Sequence, residues 1–429
     1  MRRIMPYFNY LDNELHCERV NINTIAHDMP TPFYLYSKNG LTENYNKIEA
    51  AFSGIPHTIC YALKANSNLH LLRLLAASGC GADVVSGGEL FLALKAGFPP
   101  EKIVYASVGK TDAEIQYAIE TGINAFNVES GQELEAIHRL AQKAGKPANI
   151  AIRVNPDIDV HGHPYISTGK ALNKFGVDIE YAYQLYETIR QTPLLNPVGV
   201  HCHIGSMIFD MEFFKASAEK LRDFVEVLKS KGIELEHIDI GGGLGVQYQN
   251  PIARTVDGAD IEETPSPDPA DLAASILPVL KPLGCELFCE PGRSMVANIG
   301  ILVTRVLFVK ETKGKKFIIV DAGMNHLIRP CLYGAYHEII PLVARKGKFE
   351  TADVVGPICE SSDFLALDRP MPPVERGDLL AVMTAGAYGY SLASNYNAHP
   401  LPAEILVDDV GYEVIRKRET YDDLLRNIA

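Results

Sequence analysis

From about Thr31 onward, short apolar runs of β-forming residues alternate with longer stretches of helical period. The strand candidates are Thr58–Leu63, Ala82–Ser86, Ile103–Ser107, Ala125–Val128, Asn149–Val154, Val198–Ile204, His237–Ile240 and Glu286–Cys289. Gly88–Ala96, Asp112–Thr121 and Ser130–Ala144 read as helices between them, with Thr111 as an N-cap and Glu114 in the first turn that follows. The early strands recur at about the length of one βα unit. Strand-then-helix units in this number predict a (β/α)8 TIM-like barrel, with an open doubly wound sheet as the alternative, because closure is not written in a sequence. A barrel makes a demand of its own: chemistry should collect where strands end and loops begin.

The alternation stops near Gly300. Strand-like runs follow at Ile301–Val309, Phe317–Val320, Asp353–Val355, Leu379–Met383, Glu404–Val407 and Tyr412–Lys417, separated by turns such as Lys313-Gly314-Lys315 and Asp409-Val410-Gly411. The expected organisation is a barrel over 31–299 and a C-terminal antiparallel β domain over 300–429, joined by residues 1–30. The Pro- and Asp-rich stretch from Asn250 to Pro269 reads as a long surface loop.

Several strand ends carry chemistry. Thr58–Leu63 runs into Lys64 and then Ala-Asn-Ser-Asn, which suits a turn. Burial there would desolvate the amine and ready it for Schiff-base chemistry. A lysine that snorkels its head into water fits the same stretch at least as well. Gly241-Gly242-Gly243 follows the strand ending near Ile240, and consecutive glycines let backbone N–H groups close on a phosphate. The run is neither a Walker loop nor a dinucleotide fingerprint in its usual place; a plain flexible turn is the other reading. In His201-Cys202-His203-Ile204-Gly205-Ser206, strand alternation puts His201 and His203 on one side, and Ser206 could bond a phosphate. These histidines, with His161-Gly162-His163, also make a metal-dependent hydrolase a competitor. Against it, Glu290 is the one convincing carboxylate at the last strand's end. Glu290 and Arg293, in Glu290-Pro291-Gly292-Arg293, offer a proton-holding carboxylate beside an anion clamp. Cys285 and Cys289 read as buried strand residues rather than zinc ligands.

Composition narrows the field. At 429 residues more than one domain is expected, and 47% hydrophobic residues suffice for a large core. A formal charge of −13 argues against nucleic acid or an anionic membrane as partner. No apolar stretch reaches membrane-spanning length, and the N-terminal arginines precede no apolar leader core. Eight scattered cysteines without a C-x-x-C pair fit reduced thiols in a cytoplasmic protein. A Schiff-base lysine, a phosphate cradle, a ring-stacking histidine and a carboxylate for a pyridine nitrogen together match one cofactor, pyridoxal 5′-phosphate (PLP). A metal site would leave the lysine and the glycines idle.

At this level of detail the chain resembles the fold-type III PLP-dependent decarboxylases, and best the branch acting on diaminopimelate. The residues that carry the resemblance are YALKAN, HPYISTG, KFG, HCHIGS, GGGLG, EPGRSMVANIG, RPCLYGAYH, CESSDFLA and GAYGYSLASNYN, spread over nearly the whole chain in the family's order. Met207 stands where the family commonly has glutamine. The resemblance implies an alanine-racemase-type barrel with a C-terminal β domain, working as a homodimer with shared active sites. It implies that Lys64 bonds PLP, His203 stacks on its ring and Glu290 pairs with its nitrogen. Ser206, Gly242, Gly243, Pro291, Gly292, Arg293 and Tyr388 would surround the phosphate. Arg293, Arg329, Tyr333, Glu360 and Tyr388 would recognise substrate, and Cys359, delivered with Glu360 by the second subunit, would be the proton donor. Arg153 fits a supporting position. On residue type alone Cys359 reads as a buried thiol, and Arg329 and Tyr333, four apart, could share a helix face. The implied reaction converts meso-diaminopimelate to L-lysine and CO2. The alternatives are a related decarboxylase of carboxynorspermidine, ornithine or arginine, and a PLP-binding protein without catalysis.

Overall fold

Residues 81–84 (Gly-Ala-Asp-Val) and 125–128 (Ala-Phe-Asn-Val) are short strands in which every residue is buried, polar ones included. Strands covered on both faces in this way belong to a parallel sheet flanked by helices, open or closed. In the computed structural model, which describes residues 7–158, 174–249, 265–345 and 347–428, they are two of the strands of a closed barrel. We number these His57–Ala62 (β1), Gly81–Val84 (β2), Ile103–Ala106 (β3), Ala125–Val128 (β4), Ala148–Arg153 (β5), Leu195–His201 (β6), His237–Asp239 (β7) and Glu286–Cys289 (β8). Each pairs in parallel with the next, and β8 returns to β1 through Leu287↔His57 and Cys289↔Ile59. The closed sheet is what the alternation predicts, and the open alternative is excluded.

Local signals punctuate the βα units. Ser86, Thr111 and Ser130 accept hydrogen bonds from the N–H of the third residue of helices Gly87–Ala96, Asp112–Thr121 and Gly131–Ala144. Glu114 completes a capping box with Thr111. Leu134, Ile137, Leu140 and Ala141 give the third helix its buried stripe. All three helices stop at glycines with left-handed φ, Gly97, Gly122 and Gly145, where a side chain would be strained.

The chain forms two compact units. Tyr45–Gly245 with Ser266–Ser294 make the barrel unit, and the described parts of Met1–Asn44, Val246–Pro265 and Met295–Ala429 make the other. In the second unit, Gly300–Thr312 pairs with Lys315–Val320, Leu379–Val382 and Phe33–Ser37. Phe33–Ser37 lies within the 31–299 span expected for the barrel, yet it is buried along its length and joins this sheet. The sheet is mixed rather than purely antiparallel: Lys315–Val320 runs parallel to Glu350–Val355, and Phe33–Ser37 parallel to Ala403–Asp408. Phe364–Met371, a strand whose charged outer residues hide the alternation, was not foreseen. Most of the Asn250–Pro269 stretch lies outside the described residues, as does His161-Gly162-His163.

Candidate active site

The carboxyl ends of the barrel strands gather the polar residues that the strands could not bury elsewhere. β1 ends at Ala62, and Leu63–Ala65 turns as a 3-10 helix that buries Leu63 and Ala65 and turns Lys64 outward. The Lys64 side chain is 41% exposed, so the desolvated lysine expected from the apolar run is not what the chain presents. Its ammonium instead donates to Asp83 Oδ2 of β2 at 3.0 Å. Asp83 is fully buried, and burial, then the charge of Glu290, push it up to about 6 while Lys64 pulls the other way.

Glu290 follows β8 and is buried. Its Oε1 accepts from Asn127 Nδ2 of β4 and its Oε2 from His201 Nε2 at the end of β6, each at 3.1 Å. Burial alone would raise this carboxyl; the His201 imidazole, through charge and hydrogen bond, and then Lys64 outweigh it and hold the group well below its ordinary value. Asp239, at the end of β7, goes the other way, raised by burial and by the charge of Glu290.

His201 ends its strand, and His203 follows it in the loop, half-buried. His203 Nδ1 accepts from the Gly242 N–H at 3.1 Å, which leaves Nε2 as the protonated nitrogen of a neutral ring. Burial, then the positive charges of Arg153 and Lys64, keep its basicity well below the ordinary histidine value. Arg153, the last residue of β5, pairs with Glu129 at 2.7 Å and lies against the Phe175 ring. The loop from Asp239 is tight. Gly241 N–H donates to Asp239 Oδ1, a Cβ on Gly242 would stand 2.3 Å from the Glu290 carbonyl oxygen, and one on Gly243, at φ 109°, 2.4 Å from that of Gly205. Arg293 Nη2 donates to Ser206 Oγ at 3.2 Å, and Pro291 and Gly292 are buried between Glu290 and Arg293. Lys64, His203, Ser206, Gly242, Gly243 and Glu290 to Arg293 thus fall in the barrel unit, as the sequence places them.

These residues fit PLP. A carboxylate held ionised suits a protonated ring nitrogen, a neutral imidazole offers a flat face, and glycines that admit no side chain frame a phosphate. One polar side-chain atom from each of His201, Asp239 and Glu290 also lies within 4.8 Å of those of the other two. Asp239, at the end of the preceding strand β7, adds a second buried carboxyl beside Glu290, the carboxylate read at the last strand's end. Cys285 and Cys289 are buried thiols, as read; Cys289 ends β8, whereas Cys285 lies just before that strand.

The remaining predicted residues belong to the second unit. Arg329 opens the short helix Arg329–Tyr333 and is buried, stacked on Tyr248 and donating to His337 Nε2 at 2.7 Å. Tyr333, at 38% exposure, ends the same helix before Gly334, so the two do not share a buried face. Cys359 is exposed, not the buried thiol that its type predicts, because Asn397 Oδ1 and the Asp363 carboxylate pin its loop by the N–H groups of Cys359 and Ile358. Glu360 is exposed and Tyr388 half-buried at φ 56°. Asp83, Asn127, Glu129 and Asp239 were missed; the available signal was a polar residue inside or just beyond an otherwise apolar strand run.

A family model described as "Pyridoxal-dependent decarboxylase, pyridoxal binding domain" matches residues 39–297. The chain is 48% identical over 422 residues to the diaminopimelate decarboxylase of Aquifex aeolicus, covering 98% of this chain and 97% of that protein. It matches the crystal structure of diaminopimelate decarboxylase from M. jannaschii in co-complex with L-lysine at a TM-score of 0.92 and 39% identity, over 99% and 98% of the two chains. The corresponding enzyme from Helicobacter pylori, also complexed with L-lysine, matches at 0.89 and 44%, over 95% and 98%.

Proposed function

Since the chain belongs to the diaminopimelate decarboxylases within the pyridoxal-dependent decarboxylase family, we propose that it removes CO2 from meso-diaminopimelate to give L-lysine. The observation that carries this reading is the convergence of Lys64–Asp83 and the His201–Glu290–Asn127 set on the strand ends of one barrel. PLP, when bound, supplies an electron sink for the pair left as the carboxylate departs. Lys64 is the amine that anchors it, and Asp83 holds the ammonium when it is not engaged. Glu290 keeps a proton on the ring nitrogen, His203 covers a ring face as a neutral group, and Gly242, Gly243, Ser206 and Arg293 receive the phosphate. Arg329, a guanidinium, suits the second carboxylate of the substrate, as would Tyr333, Glu360 and Tyr388 its polar end. That preference separates this reading from a decarboxylase of ornithine or arginine, whose side chains end in cations.

The reading extends to a homodimer with shared active sites, in which a second copy delivers Cys359 and Glu360 and the thiol returns a proton to the carbon that lost CO2. Their exposure on this chain supports it. All eight cysteines are free, and no described helix is long and apolar enough to cross a membrane, which supports the cytoplasm as its compartment.

Incubating the PLP-loaded protein with meso-diaminopimelate should give lysine and CO2 in equal amounts. Comparable turnover of ornithine or arginine would overturn the substrate assignment. Lys64→Ala should abolish the visible absorption band of the lysine-bound cofactor and with it turnover; a band that survives removes Lys64 as the anchor.

A further inference from the structure

The reading above counts His201 in the set around Glu290 but gives it no role of its own, yet it is 1% exposed and its Nε2 lies on Glu290 Oε2. β6 and β7 are in register at His201↔Asp239, so the imidazole and the Asp239 carboxyl stand on neighbouring strand ends. One polar side-chain atom from each of Asp239, Glu290 and His201 lies within 4.8 Å of those of the other two. Two carboxylates this close and this buried do not both ionise. Their surroundings are unequal. Both oxygens of Glu290 receive donors, Asn127 and His201. Asp239 receives the Gly241 N–H on Oδ1, whereas its Oδ2 is buried and meets no donor. A proton on Oδ2 turns that oxygen into a donor and removes the unmet acceptor.

We propose that His201 is a positioning residue whose Nε2–H selects Glu290, rather than Asp239, as the ionised member of this carboxyl pair and keeps it aimed for the cofactor's ring nitrogen. The inference rests on the reading that Glu290 serves that nitrogen. It also ties the carboxylate to the glycine loop, because Glu290 N–H donates to the Gly241 carbonyl and Gly241 N–H to Asp239. The other ionisable groups that bear on Glu290 or carry its charge are Lys64, Asp83 and His203, with the Cys60 and Cys289 thiols, which burial keeps protonated. All of them are common to the variants below.

The test uses His201→Phe, which keeps a ring without a donor, and His201→Gln, which restores an N–H. The first readout is PLP dissociation from the loaded protein, followed by absorbance without any substrate. The second is the protonated-carboxyl band in infrared difference spectra of the cofactor-free protein, assigned with Asp239→Asn. Wild type should show a buried protonated carboxyl that Asp239→Asn removes. His201→Phe should release PLP about tenfold faster or more, as expected for one charged hydrogen bond, and should shift the band to Glu290. His201→Gln should recover most of the retention. Retention and band unchanged in His201→Phe, or a wild-type band that survives Asp239→Asn, overturns the proposal, and the latter holds even if the phenylalanine variant fails to fold. Neither readout involves diaminopimelate, so a protein inactive on that substrate would sink the functional reading and leave this test intact.

Discussion

His237 shows how one residue imprints a pH dependence on the fold. Its ring stacks on Phe288 at 4.3 Å, and burial, then the charge of His201, push its basicity down to about 4. An unfolded chain would bind this proton near pH ~6.5. Below that pH the unfolded state takes up a proton that the folded state refuses, so stability falls from pH ~6.5 and levels off only below the folded value of about 4. Asp83 and Glu89, raised to about 6 and about 7 chiefly by burial, act in the opposite sense, since the folded state protonates them first as pH falls. The slope of one variant against wild type isolates the histidine: denaturant unfolding between pH 7 and 5 should show a smaller loss in His237→Phe. An equal loss would assign the acid sensitivity elsewhere. Asp83 itself was open to sequence reading, as an acid inside Gly81–Val84, but its partner was not. Nothing local to residue 83 indicates Lys64, nineteen positions earlier in the turn after another strand.

At the level of elements, the glycine loop and the Cys359 loop are shaped by backbone constraints that a substitution can test. In Gly242→Ala the new Cβ would meet the backbone of Glu290, which is not free to give way. The expected outcome is a loss of about 1–3 kcal/mol in unfolding free energy, together with weaker PLP retention measured by dialysis. Asp363 anchors the other loop, accepting from the N–H groups of Met324 and Ile358, both at 2.6 Å. Gly323 and Gly356 leave the room that its carboxylate occupies. Asp363→Ala should destabilise the chain by about 1–3 kcal/mol for each N–H left unmet, and should lower turnover if the loop's placement of Cys359 matters. The helices flanking this chemistry were legible in the sequence, because caps such as Thr111 and Gly122 act within a turn of their own position. The strand Phe33–Ser37 was misallotted because its pairing partners, Gly300–Thr312 and Ala403–Asp408, lie hundreds of residues away.

The whole molecule bears on the shared-site reading. Mixing Lys64→Ala with Cys359→Ala protein after mild dissociation should restore turnover that neither variant has alone, because a mixed dimer regains one complete site. Failure to recover activity, with mixed dimers present by mass, would put both residues in a site made by one chain. By itself the sequence determined the alternation that makes a barrel, the helix caps, the polar residues left at strand ends and the motifs of the family. These are signals of near-neighbour spacing and side-chain type. Tertiary structure alone decided the closure of β8 onto β1, the exposure of Lys64, and the meeting of Asp83, Asn127, His201, Asp239 and Glu290. Those residues come from five different βα units, and which of two buried carboxyls keeps its charge depends on hydrogen bonds between them that no local pattern encodes.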